Sequence, residues 1–357
     1  MKRHGKRKGT GKQAAWIAAT VIAEVLLLFF LSGIFLFNYY LNRIHYDPET
    51  KSPVPVISTD SDSRTAPESS QNQSGAPGSL VEEQLLKDAA SLPEKQNVFN
   101  LLLIGSDSRV PGQKGRSDTM ILVSIDRRTK RVAFTSFLRD IYLRIPGIGQ
   151  DNRLNAANAF GGPNLLLETI RRNFQVQVDR YISVDFSSFM QFIDRIGGIE
   201  IDVTDDEIAA ANEYIRNINL WYGISENDGV LCSAGKQVLN GKQALSYARI
   251  RSIGSGDFYR TDRQRVILRK ALEKLKTQSL FESASLLNTF LPDISTNLSK
   301  GELLSLLLLL PSYPNYKVES CHIPIDGTFS CRNIRGMTVL KIDFSKNIAE
   351  IQKQIYG

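Results

Sequence analysis

Histidine and cysteine are scarce, with three of each in 357 residues. The cysteines, Cys232, Cys321 and Cys331, form no CxxC pair, and two of the histidines, His4 and His45, flank an apolar N-terminal segment. A thiolate or imidazole metal centre therefore has too few ligands. A Ser-His-Asp or Cys-His enzyme would have to rest on His322 alone, which sets that chemistry aside. No internal repeat is visible, and no composition break divides the chain beyond residue 97. The content of 42% hydrophobic and 23% charged residues is that of an ordinary globular protein, long enough for a sizeable core.

The net charge of +7 arises in two separate places. Residues 1–13 carry Lys2, Arg3, Lys6, Arg7, Lys8 and Lys12 and no acid. Residues 47–96 are net acidic, so the part beyond 97 is basic on its own account. Residues 14–37 read AAWIAATVIAEVLLLFFLSGIFLF, enough to span a bilayer as a helix and too long for the apolar core of a cleaved signal. Trp16 at one end and Tyr39 and Tyr40 at the other suit the two interfaces, and the basic tail places the N-terminus in the cytoplasm. A basic cytoplasmic tail (1–13) and one transmembrane helix (14–41) are expected, with the remainder outside the cell. Glu24 marks either a contact with a partner helix or, more simply, a charge tolerated by a strongly apolar span. An outside location makes nucleic acid an unexpected partner and permits disulfides. Cys321 and Cys331 flank IPIDGTFS, which can turn back on itself, so a bridge between them is expected, with Cys232 free.

Residues 42–96 are expected to form a disordered extracellular stalk, since 47–79 are rich in Ser, Pro, Thr, Asp, Gln and Gly. From residue 97 the character changes. VFNLLLIG, TMILVSID and VAFTSFL read as buried strands, the last two joined in a hairpin by RRTKR. Gly161, Gly162 and Pro163 open a helix over NLLLETIRRNF. VDRYISVD reads as a strand, FSSFMQFIDRI as a helix stopped at Gly197 and Gly198, and IEIDV as an alternating strand. Capping boxes stand at Thr204 with Glu207 and at Ser299 with Glu302. The leucine run after Glu302 is too short to cross a membrane and reads as a buried helix. Segments 240–249 and 260–277 look helical, and the chain ends as strand YKVESCHIPI and helix FSKNIAEIQKQIY. Strands and helices intermix throughout 97–357, which predicts one α/β domain with layered α/β/α architecture.

Three clusters carry chemistry. Asp107 follows the first strand and Asp118 precedes the second, at strand ends where α/β sheets place ligands. Together they could hold a hard cation, although on their own two loop aspartates are as simply turn formers. Arg139 and Asp140 end the third strand; alone they make an ordinary ion pair. The densest cluster is SYARIR followed by GDFYRTDRQR. Arg249 and Arg251 point the same way if that segment is extended. Arg260 and Gln264 share a helix face, with Arg263 near it. Arginine forks suit bidentate phosphate recognition; the plainer alternative is a solvated basic face.

Together these clusters resemble the LytR-CpsA-Psr family of Gram-positive envelope proteins. GSDSR, GRSDTMIL, FLRD, RLNAA, LNGKQALSYARIR and DFYRTDRQ are similar to the family's motifs and stand in its order, over about 97–350. Phe137 and Leu138 depart from the Ile-Pro that many members carry before the arginine. The resemblance implies an LCP-type domain with a central mixed sheet. It implies a phosphotransferase that moves a glycopolymer from a polyprenyl-pyrophosphate lipid onto peptidoglycan through a phosphodiester. Asp107 and Asp118 would coordinate Mg²⁺ (or Mn²⁺). Arg139, Arg249, Arg251, Arg260, Arg263 and Gln264 would surround the pyrophosphate, and Asp257 would hold that loop or an arginine. Asp107 and Asp140 are the candidate bases for the acceptor hydroxyl. Leu165, Leu166, Phe189 and Phe192 stand on helices that could line a polyprenyl slot, with ordinary core as their simpler role. Two other functions are compatible: a hydrolase releasing the same phosphate to water, and an envelope lipid-binding or regulatory protein of the transcriptional-attenuator kind.

Overall fold

A computed structural model describes residues 45–46, 98–107, 115–178, 180–254, 256–276, 294–309, 313 and 315–357. The expected tail, transmembrane helix and nearly all of the expected stalk lie outside the described residues. Among the described residues no helix is long and apolar enough to cross a membrane.

The strands in chain order are β1 (His45–Tyr46), β2 (Val98–Ser106), β3 (Ser117–Asp126), β4 (Arg131–Phe137), β5 (Tyr142–Leu143), β6 (Asn152–Arg153), β7 (Arg180–Val184), β8 (Ile199–Val203), β9 (Gly235–Leu239), β10 (Ser295–Thr296), β11 (Lys317–Ile323), β12 (Phe329–Ile334) and β13 (Met337–Ile342). The helices are α1 (Ala156–Phe174), α2 (Phe186–Arg195), α3 (Asp205–Tyr222), α4 (Gly241–Arg249), α5 (Asp257–Lys276), α6 (Lys300–Leu309) and α7 (Phe344–Tyr356). A 7-stranded sheet in the order β1-β10-β7-β2-β3-β4-β11 forms the centre. It is mixed, as expected: β2, β3 and β4 run antiparallel, whereas β7 and β11 join parallel to β2 and β4. His45 and Tyr46, within the stretch read as stalk, pair with Ser295 and Thr296 at one edge.

The apolar runs in β2 and β3 follow from burial on both faces. Leu102, Ile104, Met120 and Leu122 pack with Leu166 and Phe174 of α1 and Ile351 of α7. The alternate residues Leu101, Ile121 and Val123 pack with Leu298 and with Leu303 of α6. Side chains alternate along a strand, so one run serves two cores. A third core joins α2, α3, α4 and α5 to the β8–β9 hairpin through Ile193, Ile201, Ile215 and Ile267. This is the layered α/β/α arrangement, with a helical lobe beside one end of the sheet.

Local signals largely decide the boundaries. The β3–β4 hairpin turns where Asp126 accepts the N–H groups of Arg128 (2.8 Å) and Thr129 (3.1 Å). Both halves of the Thr204–Glu207 capping box are formed, as are those of Ser299–Glu302. Gly162 sits at φ 73°, ψ −167° and breaks α1 before Pro163, so a first helical segment precedes the one the glycines open. β9 and the β12–β13 hairpin carry no strong apolar alternation and were not expected. That hairpin also removes the Cys321–Cys331 bridge. Cys321 lies in β11 opposite Thr135, whereas Cys331 lies in β12 opposite Leu340, in a different sheet, and all three thiols are free.

Candidate functional site

Three chain segments meet at one end of the sheet. β3 begins with Ser117 and Asp118, β4 runs out into Arg139 and Asp140, and α5 begins with Asp257 and Arg260. Arg251 reaches the same place from the loop between α4 and α5. The result is an alternating lattice of arginines and carboxylates. Arg139 donates to Asp118 Oδ1 (2.8 Å) and to Asp257 Oδ2 (3.2 Å). Arg260 donates to the same Asp257 Oδ2 (2.9 Å) and to the Asp118 carbonyl (3.3 Å). Arg251 faces Asp257 Oδ1 (3.4 Å) and Asp118 Oδ2 (3.7 Å). Asp140 stands behind, 3.6 Å from Arg139 and 3.4 Å from Arg153.

The electrostatics follow from burial and packing. Burial pushes the Asp118 carboxyl upward, but Arg139, Arg260 and Arg251 outweigh it and hold it below the usual carboxylate value. Burial dominates at Asp140 and raises it, Asp257 adding to the effect. Arg260 is 2% exposed, and burial together with its cationic neighbours Arg251 and Arg139 lowers it to about 10 despite Asp257. Its Nε has no hydrogen-bond partner among the described residues. A buried guanidinium with a spare donor is a site prepared for an anion.

Beside this lattice lies an apolar slot of about 240 Å³ between the sheet and α2, α4 and α5, walled by Leu103, Phe186, Phe189, Phe192 and Ile267. Gln264 projects into it from α5, and its Oε1 lacks a hydrogen-bond partner among the described residues. Of the four residues considered for a slot, Phe189 and Phe192 line it. Leu166 is fully buried core and Leu165 packs against that core.

The structure therefore divides the expected set. Arg139, Arg251, Arg260, Asp118 and Asp257 come together. Gln264 shares the helix with Arg260 but serves the slot. Arg249 ends α4 and lies 4.8 Å over Phe186 and 5.0 Å from the Tyr214 ring, so the helix, rather than an extended segment, separates it from Arg251. Arg263 is buried, donating to Glu207 Oε1 (2.9 Å) and to the Ile250 carbonyl (3.4 Å). It braces the segment that carries Arg251. Asp107 pairs with Arg116 across the hairpin: its Oδ1 accepts the Arg116 N–H (2.7 Å) and its own N–H donates to the Arg116 carbonyl (3.0 Å).

Three contributors were missed. Arg153 belongs to RLNAA and pairs with Asp140. Asn158, 3% exposed, donates to the Gly115 carbonyl (2.8 Å) and holds the approach to Asp118. Glu207 uses one oxygen to cap α3 and the other to hold Arg263. The capping-box signal revealed only its first role.

Among the described residues no group of three or more His, Cys, Asp or Glu stands ready to hold a metal. Asp107 and Asp118 nevertheless supply two carboxylates at adjoining strand ends, next to a bulge between Gly105 and Ser106. Such hard oxygen donors suit Mg²⁺ or Mn²⁺ when phosphate and water complete the shell.

The profile of the LytR_cpsA_psr family matches residues 56–355. The chain is 30% identical over 240 residues to the Bacillus subtilis polyisoprenyl-teichoic acid–peptidoglycan teichoic acid transferase TagV, covering 64% of this chain and 57% of that one. It is 31% identical over 230 residues to the Enterococcus faecalis transferase TagU, covering 63% and 70%. The chain thus spans less than two thirds of the length of TagV. The fold is that of the Bacillus subtilis protein YwtF (TagT) solved with bound octaprenyl pyrophosphate lipid, at 24% identity and a TM-score of 0.55 over 73% of this chain and 91% of that one.

Proposed function

The chain belongs to the LytR_cpsA_psr family, and on that premise we propose that it is a membrane-anchored phosphotransferase that moves a glycopolymer from a polyprenyl-pyrophosphate carrier onto peptidoglycan. The observation that carries the proposal is an arginine lattice beside an apolar slot, the two adjoining where Asp118 of the lattice precedes Thr119 of the slot on β3 and Arg260 stands one turn before Gln264 on α5. A lipid pyrophosphate has this same division into a polyanionic head and a branched apolar tail. The named activities of TagV and TagU agree with it.

In the proposed reaction a peptidoglycan hydroxyl attacks the phosphorus next to the glycan. The new bond is a phosphodiester, the phosphoanhydride P–O bond breaks, and polyprenyl phosphate leaves. Such transfer asks mainly for positioning and charge neutralisation. Arg139, Arg251 and Arg260 provide both, because their forks are already oriented by Asp118 and Asp257. Phe189 and Phe192 hold the start of the chain and exclude water. Asp107 and Asp140 are the candidate acceptors of the hydroxyl proton, and burial raises the Asp140 carboxyl toward that task. Asp107 and Asp118 would hold Mg²⁺ or Mn²⁺, which when bound adds charge neutralisation at the phosphates. The apolar run 14–37 would anchor the protein, with the domain beyond it outside.

Incubating the purified full-length protein with lipid-pyrophosphate glycan and peptidoglycan tests the proposal. Glycan covalently joined to peptidoglycan is the expected product, lost in Arg251→Ala. Release of free glycan phosphate alone would replace transferase with hydrolase, and tight lipid binding without turnover would make the protein a carrier. Mn²⁺ binding followed by electron paramagnetic resonance, compared between the parent and Asp107→Asn, checks the metal assignment separately.

A further inference from the structure

Large apolar side chains are exposed at few places among the described residues, and half of the prominent ones lie together. Leu220, Trp221, Tyr222 and Ile224 are 78, 47, 49 and 45% exposed and follow one another around the end of α3. Gly223 closes that helix in the left-handed region (φ 67°), and its N–H donates to the Leu220 carbonyl while Ile224 N–H donates to that of Asn219. The tip is thus a defined turn. Leu220, Trp221 and Tyr222 rim a groove of about 490 Å³ that also contains Phe186 and Leu245. Phe186 and Leu245 wall the apolar slot as well, so groove and slot lie side by side across these two side chains, with Asn217 and Arg249 adding a polar edge to the groove. The acids that follow the tip are paired: Asp228 with Lys242 (2.6 Å) and Glu226 with Arg216 (3.9 Å).

We propose, resting on the lipid-linked substrate of the preceding section, that this tip seats in the headgroup layer of a bilayer beside the path by which the prenyl chain enters the slot. Trp and Tyr favour the membrane interface, and Leu and Ile favour the acyl boundary beneath it. An exposed apolar patch in a soluble setting is a liability that marks a contact surface. A glycan would use the rings of Trp221 and Tyr222 but gains nothing from Leu220 and Ile224. The slot of about 240 Å³ accommodates only the first part of a polyprenyl chain. The rest stays in the bilayer, which requires the slot to open close to it.

The two tryptophans of the chain are Trp16 and Trp221, so Trp16→Phe leaves Trp221 as a single reporter. Full-length Trp16→Phe protein in phosphatidylglycerol–phosphatidylcholine vesicles should show blue-shifted emission, quenching by headgroup-proximal brominated lipid and shielding from iodide. In the Trp16→Phe, Leu220→Glu, Ile224→Glu protein all three effects should vanish. That protein should also turn over vesicle-embedded lipid substrate more slowly and a water-soluble short-chain analogue at the parental rate. Water-like emission without bromolipid quenching would overturn the proposal. Shielding that appears only with soluble peptidoglycan fragments would assign the tip to a glycan instead, and shielding that follows protein concentration would assign it to a second copy. If no lipid substrate is turned over at all, the transferase function fails, while the fluorescence still decides the membrane contact.

Discussion

Replacing Asp257 by Asn removes one negative charge and keeps the shape. In the parent, Asp257 Oδ2 accepts from Arg139 (3.2 Å) and Arg260 (2.9 Å), and Oδ1 faces Arg251 (3.4 Å). An amide oxygen in the place of Oδ2 can still accept from Arg139 and Arg260, but it carries no charge, and the amide nitrogen turns a donor toward Arg251. Arg260 is 2% exposed, so water compensates little of its charge. Breaking a buried ion pair costs about 3–5 kcal/mol because the remaining charge is stranded. Arg139 and Arg251 keep Asp118 as a partner and are partly open to solvent, which puts the loss at the lower end, about 3 kcal/mol. For a domain of this size that corresponds to a fall in Tm of about 6–12 °C. Anion binding should move the other way. Three guanidiniums lose their internal competitor, so inorganic pyrophosphate should stabilise the variant more than the parent, by RT ln(1 + [L]/Kd) at each concentration. Thermal unfolding of the full chain across a pyrophosphate titration reads both effects. An unchanged Tm, or a smaller pyrophosphate shift in the variant, would refute the lattice as the anion site.

The two flanking aspartates should respond oppositely to pH. The folded Asp118 carboxyl lies below its ordinary value of 3.8, so its stabilisation is present above that value and lost as pH falls through the folded one; Asp118→Asn should flatten this acid limb in chemical denaturation. The folded Asp140 carboxyl is raised, so ionising it opposes folding as pH rises, and Asp140→Asn should gain stability at neutral pH but not in strong acid. Ala248 is 8% exposed and borders the slot; Ala248→Phe should weaken binding of a prenyl pyrophosphate and leave inorganic pyrophosphate binding intact, as calorimetry would show. Cys232 and Cys331 are exposed and free, so both should alkylate without reductant, whereas Cys321 is half-buried and its thiol is pushed upward by burial, so it should alkylate more slowly in the folded protein.

The centre of the sheet was legible because burial on both faces forces long apolar runs, and β2, β3 and β4 stand where those runs predict. The hairpin β12–β13 escaped because β12 is half-exposed and largely polar, and the apolar residues of β13 do not alternate with period two. The error at Cys321 and Cys331 has the same origin, since a turn inferred from IPIDGTFS is in truth a crossing between two sheets. In the site, spacing brought out Asp118, Arg139, Arg251, Asp257 and Arg260 as residues worth following. It could not assign Arg249 and Arg263. Helix α4 runs through Arg249 and turns it onto Phe186, while Arg263 looks inward to Glu207. Both outcomes depend on what the neighbouring helices offer, which no local pattern encodes.

The count of arginines also overstates how positive the site is before a ligand arrives. Arg139, Arg251 and Arg260 face Asp118, Asp257 and Asp140, so the ground state is internally neutralised and an incoming pyrophosphate must compete with carboxylates. The competition is uneven. Arg260 is sealed in and fixed by α5, whereas Arg251, 37% exposed on its side chain, holds its two acids at 3.4 and 3.7 Å, beyond good hydrogen-bond length. Arg251 is therefore the arm expected to give up its carboxylates at least cost. Arg260 and Arg139 supply a preset field that needs no rearrangement. Buried Arg263, tied to Glu207 and to the Ile250 carbonyl, braces the backbone next to Arg251. A site built in this way would favour a ligand whose negative charge is spread over two linked phosphates, so that Arg251 can exchange both of its carboxylates for one anion.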